Sequence, residues 1–127
     1  MKDLLAEGKF SEAFTRVLDL GDIQVVCDVC RVTEPKLWEI IPTLSNAAVL
    51  SLVQQLSLDL SSDVQLKLNW MAACILNLKT DDPSLAPYIP RVLGQVEHNL
   101  SSFKSSFDPS QTQAASMVLA VISKYLV

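Results

Sequence analysis

Glycine occurs only three times in 127 residues, too rarely for the turn-dense chain of an all-β sandwich. No apolar run reaches the roughly 18 residues that a membrane span requires. The longest stretches, Val64–Leu78 and Ala114–Leu126, are broken by Lys67, Asn69, Asn77, Ser123 and Lys124. The opening MKDLLAEGKF lacks the long apolar centre and small-residue cleavage site of a signal peptide. An intracellular domain is the expectation, which leaves the glycosylation-like Asn99-Leu100-Ser101 without meaning. Met1 is compatible with a start added to a fragment of something longer.

Positive charge is also scarce. Ten Lys and Arg stand against fourteen Asp and Glu, for a net charge of −4, and no two basic residues are adjacent. A nucleic-acid binder concentrates positive charge on one face, so direct RNA binding is disfavoured. Gly-x-Ser-x-Gly, P-loop, GxGxxG and His-Glu-x-x-His patterns are all missing. His98 is the only histidine, and its acidic neighbour Glu97 points elsewhere on a helix. Asp81-Asp82 is better explained as a capping site than as a catalytic dyad. The expectation is a protein without catalytic residues, cofactor or metal.

What the chain does have is apolar aliphatic mass. Half its residues are apolar but only eight are aromatic, so the core must be built from Leu, Val, Ile and Ala. A chain this long buries roughly two-thirds of its unfolded surface, enough for one domain over 1–127 without disulfides.

Helical punctuation organises that mass. Lys2–Glu7 reads as a short helix closed by Gly8. Ser11 is placed to cap the next helix, with Ala13, Phe14, Val17 and Leu18 on one stripe and Gly21 ending it. Asp22 caps Ile23–Val32, a β-branched segment whose polar Gln24, Asp28 and Arg31 recur at helical spacing. Glu34-Pro35 to Pro42 is a connector with one helical turn around Leu37–Ile41. Ser45 caps Asn46–Leu60, Ser61-Ser62-Asp63 breaks the chain, and Val64–Lys79 follows. That helix is apolar nearly all round, which predicts a central position. Asp82-Pro83 and Asp108-Pro109 each pair a cap with a first-turn proline. Pro87 and Pro90 delay the sixth helix, which runs through Val92, Leu93, Val96, Leu100 and Phe103. The last carries Ala115, Val118, Leu119, Ile122 and Leu126. Short connections favour antiparallel neighbours. The predicted fold is all-α, an irregular solenoid-like stack of antiparallel helical hairpins with about seven helices and no fixed repeat.

Cys27-x-x-Cys30 is the one motif that invites chemistry. Zinc would need about two further ligands, and only Cys74 and His98 remain, neither in paired spacing. The pair lies within a helix on its apolar side, so it reads as buried small hydrophobes rather than a metal or redox site. Ser101–Ser106 reads as a fraying helix end that phosphorylation would find accessible.

Surface candidates are fewer. Val49, Leu52, Val53, Leu56 and Leu60 suit a core face, which leaves Gln54 and Gln55 nearer the edge. Lys67 interrupts an otherwise apolar helix. Gln54, Gln55 and Lys67 are the candidate partner contacts, expected to be at least partly exposed, with Gln55→Ala plus Lys67→Glu expected to be mild. Solvated edge residues, or caps on neighbouring helix ends, are the competing reading. Trp38 in the connector either anchors a partner or seals the core.

Leu44-Ser45, Leu50-Ser51-Leu52, Gln54-Gln55-Leu56, Asp59-Leu60, Leu66-Lys67-Leu68 and Trp70-Met71 together resemble the C-terminal domain of the enhancer-of-mRNA-decapping scaffold family, called Hedls in animals and Varicose in plants. Phe14, Leu18, Asp22, Val25-Val26 and Cys30 resemble that domain's first helices. After Asp82 the pattern weakens, with Pro87 and Pro90 departing from it. The resemblance implies a helical domain ending a longer scaffold with a β-propeller and a serine-rich linker. The implied partners are the decapping enzyme, its activator proteins and other processing-body proteins, with possible self-association through the longer scaffold. The implied location is cytoplasmic processing bodies. An α-helical RNA-binding domain and a helical-repeat peptide-binding module of an unrelated complex are the alternatives.

Overall fold

The computed structural model describes residues 8–79 and 82–126; the segment Lys2–Glu7, expected to form a helix, lies outside them. Among the described residues there are six helices of eleven residues or more, with one four-residue turn between the second and third of them. We label them α1 (Phe10–Leu20), α2 (Ile23–Thr33), α3 (Leu37–Ile40), α4 (Asn46–Ser57), α5 (Val64–Leu76), α6 (Ile89–Phe103) and α7 (Pro109–Leu126). No strand occurs among the described residues.

The caps explain most boundaries. α1 begins one residue before Ser11, after Lys9, and takes no side-chain cap. Gly21 ends it in the left-handed region (φ 67°), a conformation that glycine adopts without a Cβ penalty, and its N–H donates to the Leu18 carbonyl. Asp22 Oδ1 then accepts from the Gln24 N–H (3.0 Å) and starts α2. Ser45 Oγ accepts from the Ala48 N–H (3.1 Å) at α4. At α7, Asp108 Oδ1 accepts from the Gln111 N–H (2.7 Å) while Gln111 Oε1 accepts from the Asp108 N–H (3.0 Å), a reciprocal capping box. Pro90 sits in the first turn of α6, which starts late at Ile89.

Two expected helices end early. α4 stops at Ser57 rather than Leu60, because Asp59 Oδ1 accepts from the Ser61 N–H (3.0 Å) and folds the chain into a turn. Leu60 remains buried, inside that loop. α5 stops at Leu76, where the Asn77 side chain donates to the Ala73 carbonyl (2.8 Å) and the Asn77 N–H closes the last turn.

Packing follows from the apolar stripes. α1 and α2 form one hairpin, α4 and α5 a second, α6 and α7 a third. The middle pair is sandwiched: α4 touches α1, α2 and α6, while α5 touches α2, α3 and α7. This is the expected stack of antiparallel hairpins, and α5 is central, as its sequence predicted. Leu68, Trp70, Met71, Ala73, Cys74 and Ile75 on α5 are all buried, and Trp70 packs on Phe14 of α1 with ring centroids 5.6 Å apart.

An Arg31 guanidinium ties the first hairpin to the second, donating to Asp28 (3.1 Å) and Asp63 (2.8 Å). Asp63 precedes α5 in the left-handed region (φ 50°), which an aspartate tolerates better than most residues. Its carboxylate is turned to Arg31 instead of capping α5.

Candidate interaction groove

A four-residue helical turn has room for only one inward stripe. On α3 that stripe is Leu37 and Ile40, both buried, which leaves Trp38 and Glu39 outside. Trp38 is 64% exposed, so of its two expected roles the core seal is removed. Beside it, α5 presents Asn69, Ala72 and Leu76, spaced three and four residues apart and therefore on one stripe. α7 presents Met117, which lies off the buried Ala115, Val118 and Ile122 face.

These three elements enclose a groove of about 370 Å³. Its floor is Leu37 and Ala72, its apolar walls are Trp38, Leu76 and Met117, and its polar members are Glu34 and Asn69. Seven large apolar or aromatic side chains are exposed among the described residues, and three of them meet here. Single exposed apolar residues are ordinary, whereas three gathered around one concavity make this the candidate interaction surface.

The other candidates lie elsewhere. Gln54 is exposed on α4, away from the groove lining. Gln55 is half-buried, and its Nε2 donates to the Leu18 carbonyl at the end of α1 (3.1 Å) and to Ser51 Oγ (3.1 Å). It thus caps a neighbouring helix end, the competing reading of the sequence. Lys67 corrects the expectation of exposure: the residue is only 2% exposed, and Nζ donates to the Asp59 carbonyl. The reason is local. The 58–63 loop leaves a carbonyl pointing at α5, and a long aliphatic stem reaches it while filling core space. Leu76 and Met117 were missed as surface residues because both are apolar. The available signal was Met117's position off the stripe of its own helix.

His98 is exposed, and the hydroxyls of Ser102 and Ser106 donate back to the carbonyls of His98 (2.9 Å) and Phe103 (2.7 Å) at the end of α6. Cys27, Cys30 and Cys74 are all buried. Burial raises each thiol's pKa; for Cys27, Lys67 pulls partly the other way. Thiolate is the reactive form. All three should therefore resist an aromatic disulfide reagent in the native chain and react together in denaturant. A fast thiol in the native state would show the core to be open at α2 or, for Cys74, at α5.

Among the described residues no helix is long and apolar enough to cross a membrane, and no cluster of three or more His, Cys, Asp or Glu is placed to hold a metal.

Comparison with known proteins agrees over nearly the full length. Residues 1–119 match the family model described as Enhancer of mRNA-decapping protein 4, C-terminal. The Xenopus laevis protein Enhancer of mRNA-decapping protein 4 is 29% identical over 126 residues, covering 98% of this chain and 9% of that protein. Its Danio rerio counterpart is 34% identical over 102 residues, covering 79% of this chain and 7% of that protein. The chain thus spans less than a tenth of either relative. In structure it is similar to the conserved C-terminal region of Ge-1, with a TM-score of 0.87, 28% identity, and coverage of 98% and 94% of the two chains. The S. pombe Pdc1 Ge1 domain shares the fold, with a TM-score of 0.80 at 16% identity over 98% and 92% of the chains.

Proposed function

This chain belongs to the family of the C-terminal domain of Enhancer of mRNA-decapping protein 4, and from that premise we propose that it is a non-catalytic protein-interaction domain of an mRNA-decapping scaffold. In this reading it forms the C-terminal part of a longer cytoplasmic protein. It helps assemble the decapping enzyme with its activator proteins and brings the scaffold to processing bodies. The observation that carries the reading is the groove: Trp38, Leu76 and Met117 are exposed together around one concavity, on a chain whose other large apolar residues mostly fill a core. An aromatic residue at the centre of such a patch is the usual anchor of a protein interface. The groove lining includes a carboxylate and no basic side chain, which disfavours RNA phosphate at this site.

The test is a tagged full-length scaffold carrying Trp38→Ala with Met117→Ser. Both side chains are mostly in solvent, so melting of the 127-residue chain should shift by less than about 1 kcal/mol. Recovery of the decapping enzyme and its activator should fall at least tenfold, on the order expected for loss of an interface anchor, and foci should disperse. Gln54→Ala serves as the parallel arm for the α4 surface. Normal recovery and normal foci from the groove variant, with loss in the Gln54 arm, would move the contact to α4.

A further inference from the structure

The groove is apolar on its floor and walls but acidic at one edge. Glu34 lines it, half-buried, and its carboxylate has neither an ion pair nor a hydrogen bond among the described residues. The cations nearest in sequence are turned away. Arg31 is held by Asp28 and Asp63, and Lys36 reaches over the Phe10 ring, its Nζ 5.9 Å from the centroid. Glu39 follows Trp38 on the same exposed turn. Lys124, two turns beyond Met117 and about 10 Å further along the helix, does not line the groove.

A carboxylate on the groove lining without an ion-pair partner leaves a negative charge uncompensated at the site. A cation brought in by a ligand would balance it. Trp38 sharpens the chemistry, because an exposed indole face attracts a cation and stacks well on a guanidinium. The volume, about 370 Å³, lies near the small end of the range for ligand sites. It suits one or two side chains rather than a whole folded surface.

We propose that the groove receives a short peptide segment of another protein, in which an apolar side chain fills the Leu37–Ala72 floor and a neighbouring arginine or lysine meets Glu34. The proposal rests on the groove reading above and adds the chemical class of the occupant. Arginine is the better fit, since it serves both the carboxylate and the Trp38 ring.

The test pans a phage-displayed random peptide library on the 127-residue chain and titrates one selected peptide, fluorescently labelled, against variants. Selected peptides should pair an aliphatic or aromatic residue with Arg or Lys within a few positions. Glu34→Lys should weaken the titrated peptide about tenfold or more, and panning on that variant should yield acidic neighbours instead. Trp38→Ala should abolish binding of every selected peptide. The two readings fail separately. Trp38-dependent peptides without basic enrichment, or affinity indifferent to Glu34→Lys, would overturn the charge assignment and leave the groove standing. Binding indifferent to Trp38→Ala would overturn the groove itself. Two other occupants would also overturn the proposal. One is a second copy, seen as a dimer by ultracentrifugation that Trp38→Ala makes monomeric. The other is a labelled uridine homopolymer that binds in a Trp38-dependent way.

Discussion

A chain carrying Lys67→Glu is expected to lose about 3–5 kcal/mol of stability and to melt roughly 10 °C or more below the parent. Domains of this kind hold only about 5–15 kcal/mol in total, so the loss would take a large share of the chain's stability. The argument is one of groups left without partners. Lys67 is 2% exposed, and Nζ donates to the Asp59 carbonyl in the loop between α4 and α5. Glutamate puts two acceptor oxygens against that carbonyl and buries a negative charge where no donor stands ready. Lys67→Met separates the contributions: it keeps an aliphatic stem and removes only the hydrogen bond, at about 1–3 kcal/mol. Thermal melts of both variants decide the matter. A Lys67→Glu chain that melts like the parent would mean that the side chain reaches solvent, and its candidacy as a partner contact would return. A large loss removes Lys67→Glu as a probe of binding, because loss of function would then report unfolding.

The contrast between Lys67 and Trp38 shows what a helical sequence makes legible. Boundaries were readable wherever a side chain bonds to its own backbone: Asp22, Ser45, Asp108 and Gly21 act within a few residues of where they stand. Cysteine burial was readable because Cys27 and Cys30 share the stripe of Val26. The central place of α5 was readable because an all-apolar helix has nowhere else to go. Lys67 was misjudged because its partner is a backbone carbonyl eight residues away, and no side-chain pattern announces a carbonyl. Gln55 likewise serves a carbonyl 37 residues distant. The groove was half legible. Trp38 stood out in a connector, but Leu76 and Met117 are ordinary core residues by type. Only the way α3, α5 and α7 line one concavity leaves them uncovered.

Trp70→Ala should be the other severe substitution, at about 3–5 kcal/mol. Trp70 is fully buried on α5, against Phe14 of α1. Removing the indole opens a cavity between the first two hairpins and forfeits the ring contact, itself worth about 0.5–1.5 kcal/mol. Alanine favours the helix, so the loss would arise from packing and not from backbone preference. One detail lets the packing be weighed. Trp70 Nε1 is buried without a hydrogen-bond partner among the described residues, and an orphaned buried donor costs about 1–3 kcal/mol. Trp70→Phe therefore loses some volume but also relieves that donor, and should cost clearly less than the cavity alone would suggest. Urea melts of the two variants give the comparison. If Trp70→Phe proves as damaging as Trp70→Ala, the indole N–H has a partner, such as an ordered water, and the site is a polar anchor instead of a strained one. Asn69, Ala72 and Leu76 project from the groove side of the same helix, so Trp70→Ala should also weaken peptide binding through the displaced α5. Trp70→Phe, which holds the helix in place, should leave the groove intact.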